Sequence, residues 1–214
     1  LFRHRSTDGE AKAFLMLDGT ELTLNGRLGS EKAVFSPDGS RLAYVAGGKL
    51  TVMELGAGKK QEWEYESASN VQFSPDSQRV AFVTKTYNGV RVVVDGVAGP
   101  FYFRIRNGRI FSPNSRHLAY VTEVQDKGSG TLRCVAVVDG VELVPPLKES
   151  DYKNTDIVFS ADGEHHAYLS ESSGRACVVV DGNPGPSFAG SAVANSLIIS
   201  SNGSRTAWVL NTSA

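Results

Sequence analysis

The sequence predicts an all-β protein in which one small antiparallel sheet is copied side by side, and three observations predict it. Five times an alanine and an aromatic residue stand together: Ala43-Tyr44, Ala81-Phe82, Ala119-Tyr120, Ala167-Tyr168 and Ala207-Trp208. Each pair follows a turn-forming Asp or Asn at fixed spacing, namely Asp38, Asp76, Asn114, Asp162 and Asn202. The alanines lie 38, 38, 48 and 40 residues apart. A period of that length with strand patterning marks one supersecondary unit repeated along the chain.

The unit that begins at Asn70 gives the elements in order. Val71-Gln-Phe73 alternates as a short strand, and Ser74-Pro-Asp-Ser77 is a turn. Pro75 fixes φ there, and an Asp side chain bonds backbone two residues on. Arg79-Val-Ala-Phe-Val83 is the second strand, with Ala81 small where the next sheet must come close and Phe82 filling space on the other face. Asn88-Gly89 signals a hairpin turn, and Val90-Arg-Val-Val-Val94 is the third strand, closed by Asp95-Gly96. Gly99-Pro-Phe-Tyr-Phe103 completes the set as a fourth strand. Four short antiparallel strands in about 40 residues are the content of one β-propeller blade.

The ends of the chain suggest how the array closes. The chain stops after a second strand, Thr206-Ala-Trp-Val-Leu210, and begins with third and fourth strands at Ala11–Leu17 and Glu21–Leu24. Pairing the N- and C-terminal strands in one blade would remove exposed sheet edges. The predicted fold is therefore a five-bladed β-propeller of four-stranded antiparallel blades, a single domain over 1–214. Its blades are about 31–70, 71–107, 108–154, 155–194, and 195–214 plus 11–30. The rivals are a fragment of a six- to eight-bladed ring and a β-sandwich. Five copies in fixed phase weigh against the sandwich.

Composition narrows the function classes. Hydrophobic residues are 41% and charged residues 21%, ordinary for a globular protein. The net charge of −1 supplies no broad field for nucleic acid. No apolar run reaches the roughly 18–20 residues of a spanning helix. The first residue is Leu1, not Met, so the chain is read as trimmed at its N-terminus. Cys134 and Cys177 precede equivalent Asp-Gly turns by five and four residues, which puts them on opposite faces of their sheets as free thiols.

The segments Phe35-Ser-Pro-Asp-Gly-Ser-Arg-Leu-Ala-Tyr-Val45 and Phe73-Ser-Pro-Asp-Ser-Gln-Arg-Val-Ala-Phe-Val83 resemble the bacterial TolB-like, WD-like propeller repeats. The resemblance runs over about residues 11–210. It implies a rigid scaffold that binds proteins, peptides or saccharides, in the bacterial envelope or the cytoplasm. Trp63 is followed by Glu64 rather than Asp, so the Trp-Asp dipeptide of the eukaryotic repeats is missing. Propellers host many activities, so the fold alone names none.

Departures from the repeat carry more functional information than the repeat itself. The third unit is about ten residues longer than its neighbours. Its extra length falls at Glu123–Thr131 and Val144–Asn154. In an antiparallel blade those two connections lie at the same end, opposite the Ser-Pro-Asp and Asp-Gly turns. Insertions grouped on one face often build a binding surface. Polar residues entering the innermost strands should ring the same face. The candidate binding residues are Glu31, Asn70, Tyr87, Arg104, Arg106, Arg109, Asp126, Tyr152, Asn154, Asp156 and Asn195. The aromatic and guanidinium groups among them, Tyr87, Arg104, Arg106 and Tyr152, suit anchoring because such residues supply most interface energy.

No Gly-rich phosphate loop, Gly-x-Ser-x-Gly motif or clustered Cys/His set occurs in the sequence. His165-His166 should diverge from the start of a strand, and Arg3-His-Arg5 should be a solvated tail. The sequence thus points to a monomeric, non-catalytic binding module or scaffold for a protein or peptide, with no cofactor and no metal. The alternative is a carbohydrate-binding or glycoside-hydrolysing propeller. Hydrolysis needs two carboxylates about 5–9.5 Å apart, and only Glu31 and Asp156 fall near inner strands. A third reading is a propeller fragment or engineered scaffold with no site of its own.

Overall fold

The computed structural model describes residues 2–7, 10–24, 33–65, 67–106, 110–125, 128, 130–143 and 157–212, with 2–7 and 10–13 as backbone alone. Every regular element among them is a β-strand, and every paired strand is antiparallel to its partner. The chain divides into two compact units, Leu1–Gly99 and Pro100–Ala214.

The first unit holds three sheets. Strands β1 (Phe2–Thr7), β2 (Glu10–Leu17) and β3 (Thr20–Leu24) pair in that order. A second sheet follows the same sequential order through β4 (Val34–Phe35), β5 (Arg41–Ala46), β6 (Lys49–Glu54) and β7 (Lys60–Glu64). The third contains β8 (Ser69–Phe73), β9 (Val80–Thr86), β10 (Gly89–Val94) and β11 (Val97–Ala98).

In the second unit, β12 (Arg104–Ile105) and β13 (Ile110–Phe111) both pair with β14 (Leu118–Gln125), which continues to β15 (Leu132–Val138) and β16 (Val141–Glu142). The next sheet joins β17 (Ile157–Phe159), β18 (His166–Ser172), β19 (Arg175–Val180) and β20 (Asn183–Pro184), with β21 (Phe188–Ala189) also on β19. Four two-residue strands end the unit: β22 (Ser191–Ala192), β23 (Ile198–Ile199), β24 (Thr206–Ala207) and β25 (Leu210–Asn211). They pair as β22 with β25 and β23 with β24.

The repeated alanine and aromatic explain how neighbouring sheets stack. Ala43, Ala81, Ala119 and Ala167 are all 0% exposed. Ala43 shares a buried cluster with Phe82 of the following sheet, and Ala119 shares one with Tyr168 of the sheet after it. Tyr44 points the other way, into a cluster with Leu15 and Leu24. Successive residues of a strand face opposite sides, so the Ala43-Tyr44 pair offers a small side chain to one neighbour and a large one to the other. Such close packing leaves few voids. In the last copy the pattern weakens, since Ala207 is exposed and Trp208 meets Phe188 edge-on at 6.1 Å.

Three expectations change. First, the edge of β2 expected to receive Thr206–Leu210 is occupied by β1, in the register Phe2↔Leu15 to Thr7↔Glu10. Arg3-His4-Arg5 is therefore strand rather than tail. A hairpin between neighbouring segments closes only a short loop, which costs less chain entropy than joining the two ends. Among the described residues, no strand of the C-terminal sheets shares the sheet of β2. Second, the Gly99–Phe103 run is not a fourth strand; β11 takes that place, and its ladder ends where the Gly99 N–H donates to the Val92 carbonyl at 2.9 Å. Pro100 follows and has no N–H to continue it. Third, β14 runs through Gln125, so Glu123 belongs to a strand and not to a loop.

The cysteines follow their expected parity. Opposite faces of adjacent sheets look at one another, so Cys134 and Cys177 meet in one apolar cluster as free thiols, and burial pushes both thiol pKa values up.

Candidate binding face

One end of the strands is occupied by turns whose polar groups satisfy one another. The Ser36 hydroxyl donates to Asp38 Oδ1 (2.7 Å) and accepts from the Arg41 N–H (2.9 Å), while the Ser40 N–H also donates to Asp38 Oδ1 (2.9 Å). The same three bonds recur at Ser74, Ser112, Ser160 and Ser200, with Asn114 and Asn202 accepting where the other copies have Asp. The Asp-Gly turns add a clamp. Asp95, Asp139 and Asp181 each accept the first N–H of the second strand, from Val80, Leu118 and His166, at 2.8–2.9 Å. Neighbouring turns are also joined, since the Asp38 N–H donates to the Ser77 hydroxyl at 3.0 Å. Gly163 (φ +76°) is needed where it stands, because a Cβ there would meet Asn114 Cγ at 2.5 Å.

These bonds set the acid side of the stability curve. The Ser36 hydroxyl, followed by the Ser40 N–H, holds the Asp38 carboxyl well below the usual carboxylate range. Ser160 does the same for Asp162. A carboxyl with a depressed folded pKa contributes stability above its unfolded value of about 3.9, and that contribution is lost as pH falls through the folded value. Melting temperature should therefore fall as pH drops below about 4. Asp38→Asn should still fold at pH 7, because Asn114 and Asn202 make the same turn, but it should melt below wild type there, since the amide lacks the ionised carboxylate's contribution, and should lose less on acidification. Melting curves from pH 7 to 2 check this; an unchanged acid slope in the variant contradicts it.

His165 and His166 do not diverge. Both Nδ1 atoms face Asp181, at 2.7 and 3.3 Å. His165 precedes the first residue of β18, so strand alternation does not govern it. Its hydrogen bond to Asp181 raises the His165 pKa, whereas burial lowers that of His166. Among the described residues, no group of three or more His, Cys, Asp or Glu is arranged to hold a metal ion.

The other end of the strands carries the hairpins and the entries to the inner strands. Tyr87 sits at the tip of the β9–β10 hairpin and is 91% exposed. The Asn88 N–H donates to Thr86 Oγ1 at 3.1 Å and tightens that tip. In the β5–β6 hairpin, Gly47 and Gly48 border an open groove of about 420 Å3 that Lys49, Glu64 and Tyr65 complete. Asn70 and Asn195 are exposed at φ 52° and 55°, a left-handed conformation that Asn tolerates better than most residues. Glu31, Arg109, Asp126, Tyr152, Asn154 and Asp156 lie outside the described residues.

Arg104 and Arg106 converge on Glu123, which belongs to β14. Glu123 is 2% exposed and pairs with the guanidinium of Arg106. Arg104 Nε lies 3.7 Å from the second carboxylate oxygen, and 60% of the Arg104 side chain is exposed. Arg104 and Glu123 are directly opposite in the β12–β14 ladder. The signal was present in sequence: Glu123 shares the parity of Ala119 and Val121, and a charged residue on that buried face calls for a counter-charge. Among these three side chains, two guanidinium groups meet one carboxylate.

No family model matches the chain, and no curated protein matches it. Solved structures do resemble it. The β-propeller domain of the Trilobed protease from Pyrococcus furiosus aligns with 99% of this chain and 75% of its own, at 11% identity and a TM-score of 0.49. The tricorn protease aligns with 94% of this chain and 24% of its own, at 13% identity and a TM-score of 0.48. TolB from Acinetobacter baumannii aligns with 92% of this chain, at 18% identity and a TM-score of 0.40. The chain spans about half of that TolB structure, 53%. At these scores none of them transfers an activity or a site. No helix among the described residues is long and apolar enough to cross a membrane.

Proposed function

We propose that the chain is a non-catalytic binding module that presents the hairpin ends of its strands to a protein or peptide partner. The observation that carries this reading is Tyr87, a large aromatic side chain held in solvent at the tip of a fully paired hairpin. Aromatic anchors on a rigid support give contact area at low cost in conformational entropy. The acidic residues at the opposite end support it too, because their oxygens are engaged in the turns that hold the strands. One Ser-x-Asp or Ser-x-Asn turn to each repeat supports a count of five blades, read here as a single domain over 1–214. The chain in this reading is a monomer.

The test is an array of immobilised dodecapeptides of random sequence probed with the whole chain. Some peptides should be retained, and Tyr87→Ala should weaken the best of them about tenfold, the loss of one anchor of roughly 1.4 kcal/mol. Retention of no peptide overturns the reading, as does binding indifferent to Tyr87→Ala.

A further inference from the structure

We propose that the Arg104 end of the second unit is a docking site for an acidic peptide segment, in which a ligand carboxylate pairs with Arg104. This rests on the reading of the chain as a peptide-binding module and adds the chemistry of the partner.

The argument starts from the division of labour between the two arginines. Glu123 is buried and is engaged by Arg106, itself only 15% exposed. That pair is internal. Arg104 is different, since its nearest nitrogen stands 3.7 Å from Glu123, beyond hydrogen-bond range. Its ion pair is a loose one, of the kind worth little in water. The backbone around it is nevertheless fixed. The Phe103 N–H donates to the Glu123 carbonyl at 3.1 Å, and Thr122 Oγ1 donates to the Arg104 carbonyl at 2.8 Å. A guanidinium on a fixed stem can take a carboxylate with two parallel N–H donors.

Charge and composition select the partner. Two guanidinium groups against one carboxylate leave this cluster of three with an excess positive charge, on a chain whose net charge is −1. That suits a ligand with one or two carboxylates and offers no continuous track for a phosphate backbone. Two exposed aromatic side chains, Phe101 (41%) and Phe103 (51%), precede Arg104 by three residues and one. Exposed large apolar residues close in sequence to an exposed arginine are the residue types that protein-binding surfaces favour. The expected ligand carries Asp or Glu next to an apolar residue.

The experiment uses the whole chain and paired dodecapeptides, each Glu- and Leu-containing peptide having a twin with Gln for Glu. The Glu peptides should bind at least about tenfold tighter than their twins, the preference should shrink as salt rises, and Arg104→Gln should abolish it. The comparison of twins needs no altered protein, so it stands even if a variant misfolds. Equal affinity of the twins overturns the proposal, as does a preference that survives Arg104→Gln or tighter binding of a single-stranded oligonucleotide in competition. If peptides bind through Tyr87 without preference for Glu, this proposal fails and the binding-module reading survives. If no peptide binds, both fail.

Discussion

Replacing Glu123 by alanine is expected to lower the free energy of unfolding by about 3–5 kcal/mol, because it leaves a buried charge without its partner. For a chain of this size that is a fall in melting temperature of roughly 6–20 °C. The carboxylate is 2% exposed, and Arg106 beside it is 15% exposed, so water does not replace the lost contact. The pair itself need not stabilise the fold, since two charges were taken out of water to make it. Replacing both partners, as Glu123→Leu with Arg106→Met, should therefore recover most of the loss. Chemical denaturation of the two variants checks this. A drop of under about 1 kcal/mol in Glu123→Ala, or a double variant no better than the single, contradicts the role assigned to Glu123.

Phe82→Ala is expected to cost about 3–5 kcal/mol through lost burial and the cavity left behind. Phe82 is fully buried, in the cluster that also contains Ala43, Val52 and Leu50. Tyr65 packs edge-on to its ring at 4.9 Å. The alanine on the opposing sheet cannot grow to fill the space, so the cavity persists. Phe35→Ala is the control, because Phe35 is 53% exposed and should change stability by about 0.5 kcal/mol or less. Equal effects at the two positions would contradict the dovetailing of small and large side chains between sheets.

The repeat was legible because turn chemistry and strand alternation are local. Ser36, Asp38 and Arg41 form one turn from six consecutive residues, and the alternation of Ala43 with Tyr44 states which face meets which neighbour. What is not local was read less well. The pairing of β1 with β2 and the burial of Glu123 both depend on which strand takes which edge, and a register shift of one residue exchanges the faces. Arg104 and Arg106 were identified as candidates from residue type alone; the residue that gathers them was not. Tyr87 was found because an Asn-Gly hairpin tip announces exposure. His165 and His166 share Asp181 because the strand begins one residue later than the pattern suggests.

The central claim is that one end of the strands holds the fold while the other end binds. It is tested most directly by measuring melting temperature and affinity for an array-selected peptide on the same samples of wild type, Tyr87→Ala and Asp38→Asn. The account predicts that Tyr87→Ala loses about tenfold in affinity at an unchanged melting temperature. It predicts that Asp38→Asn keeps its affinity while melting lower at pH 7 and losing less on acidification. Loss of affinity in Asp38→Asn with none in Tyr87→Ala would contradict it.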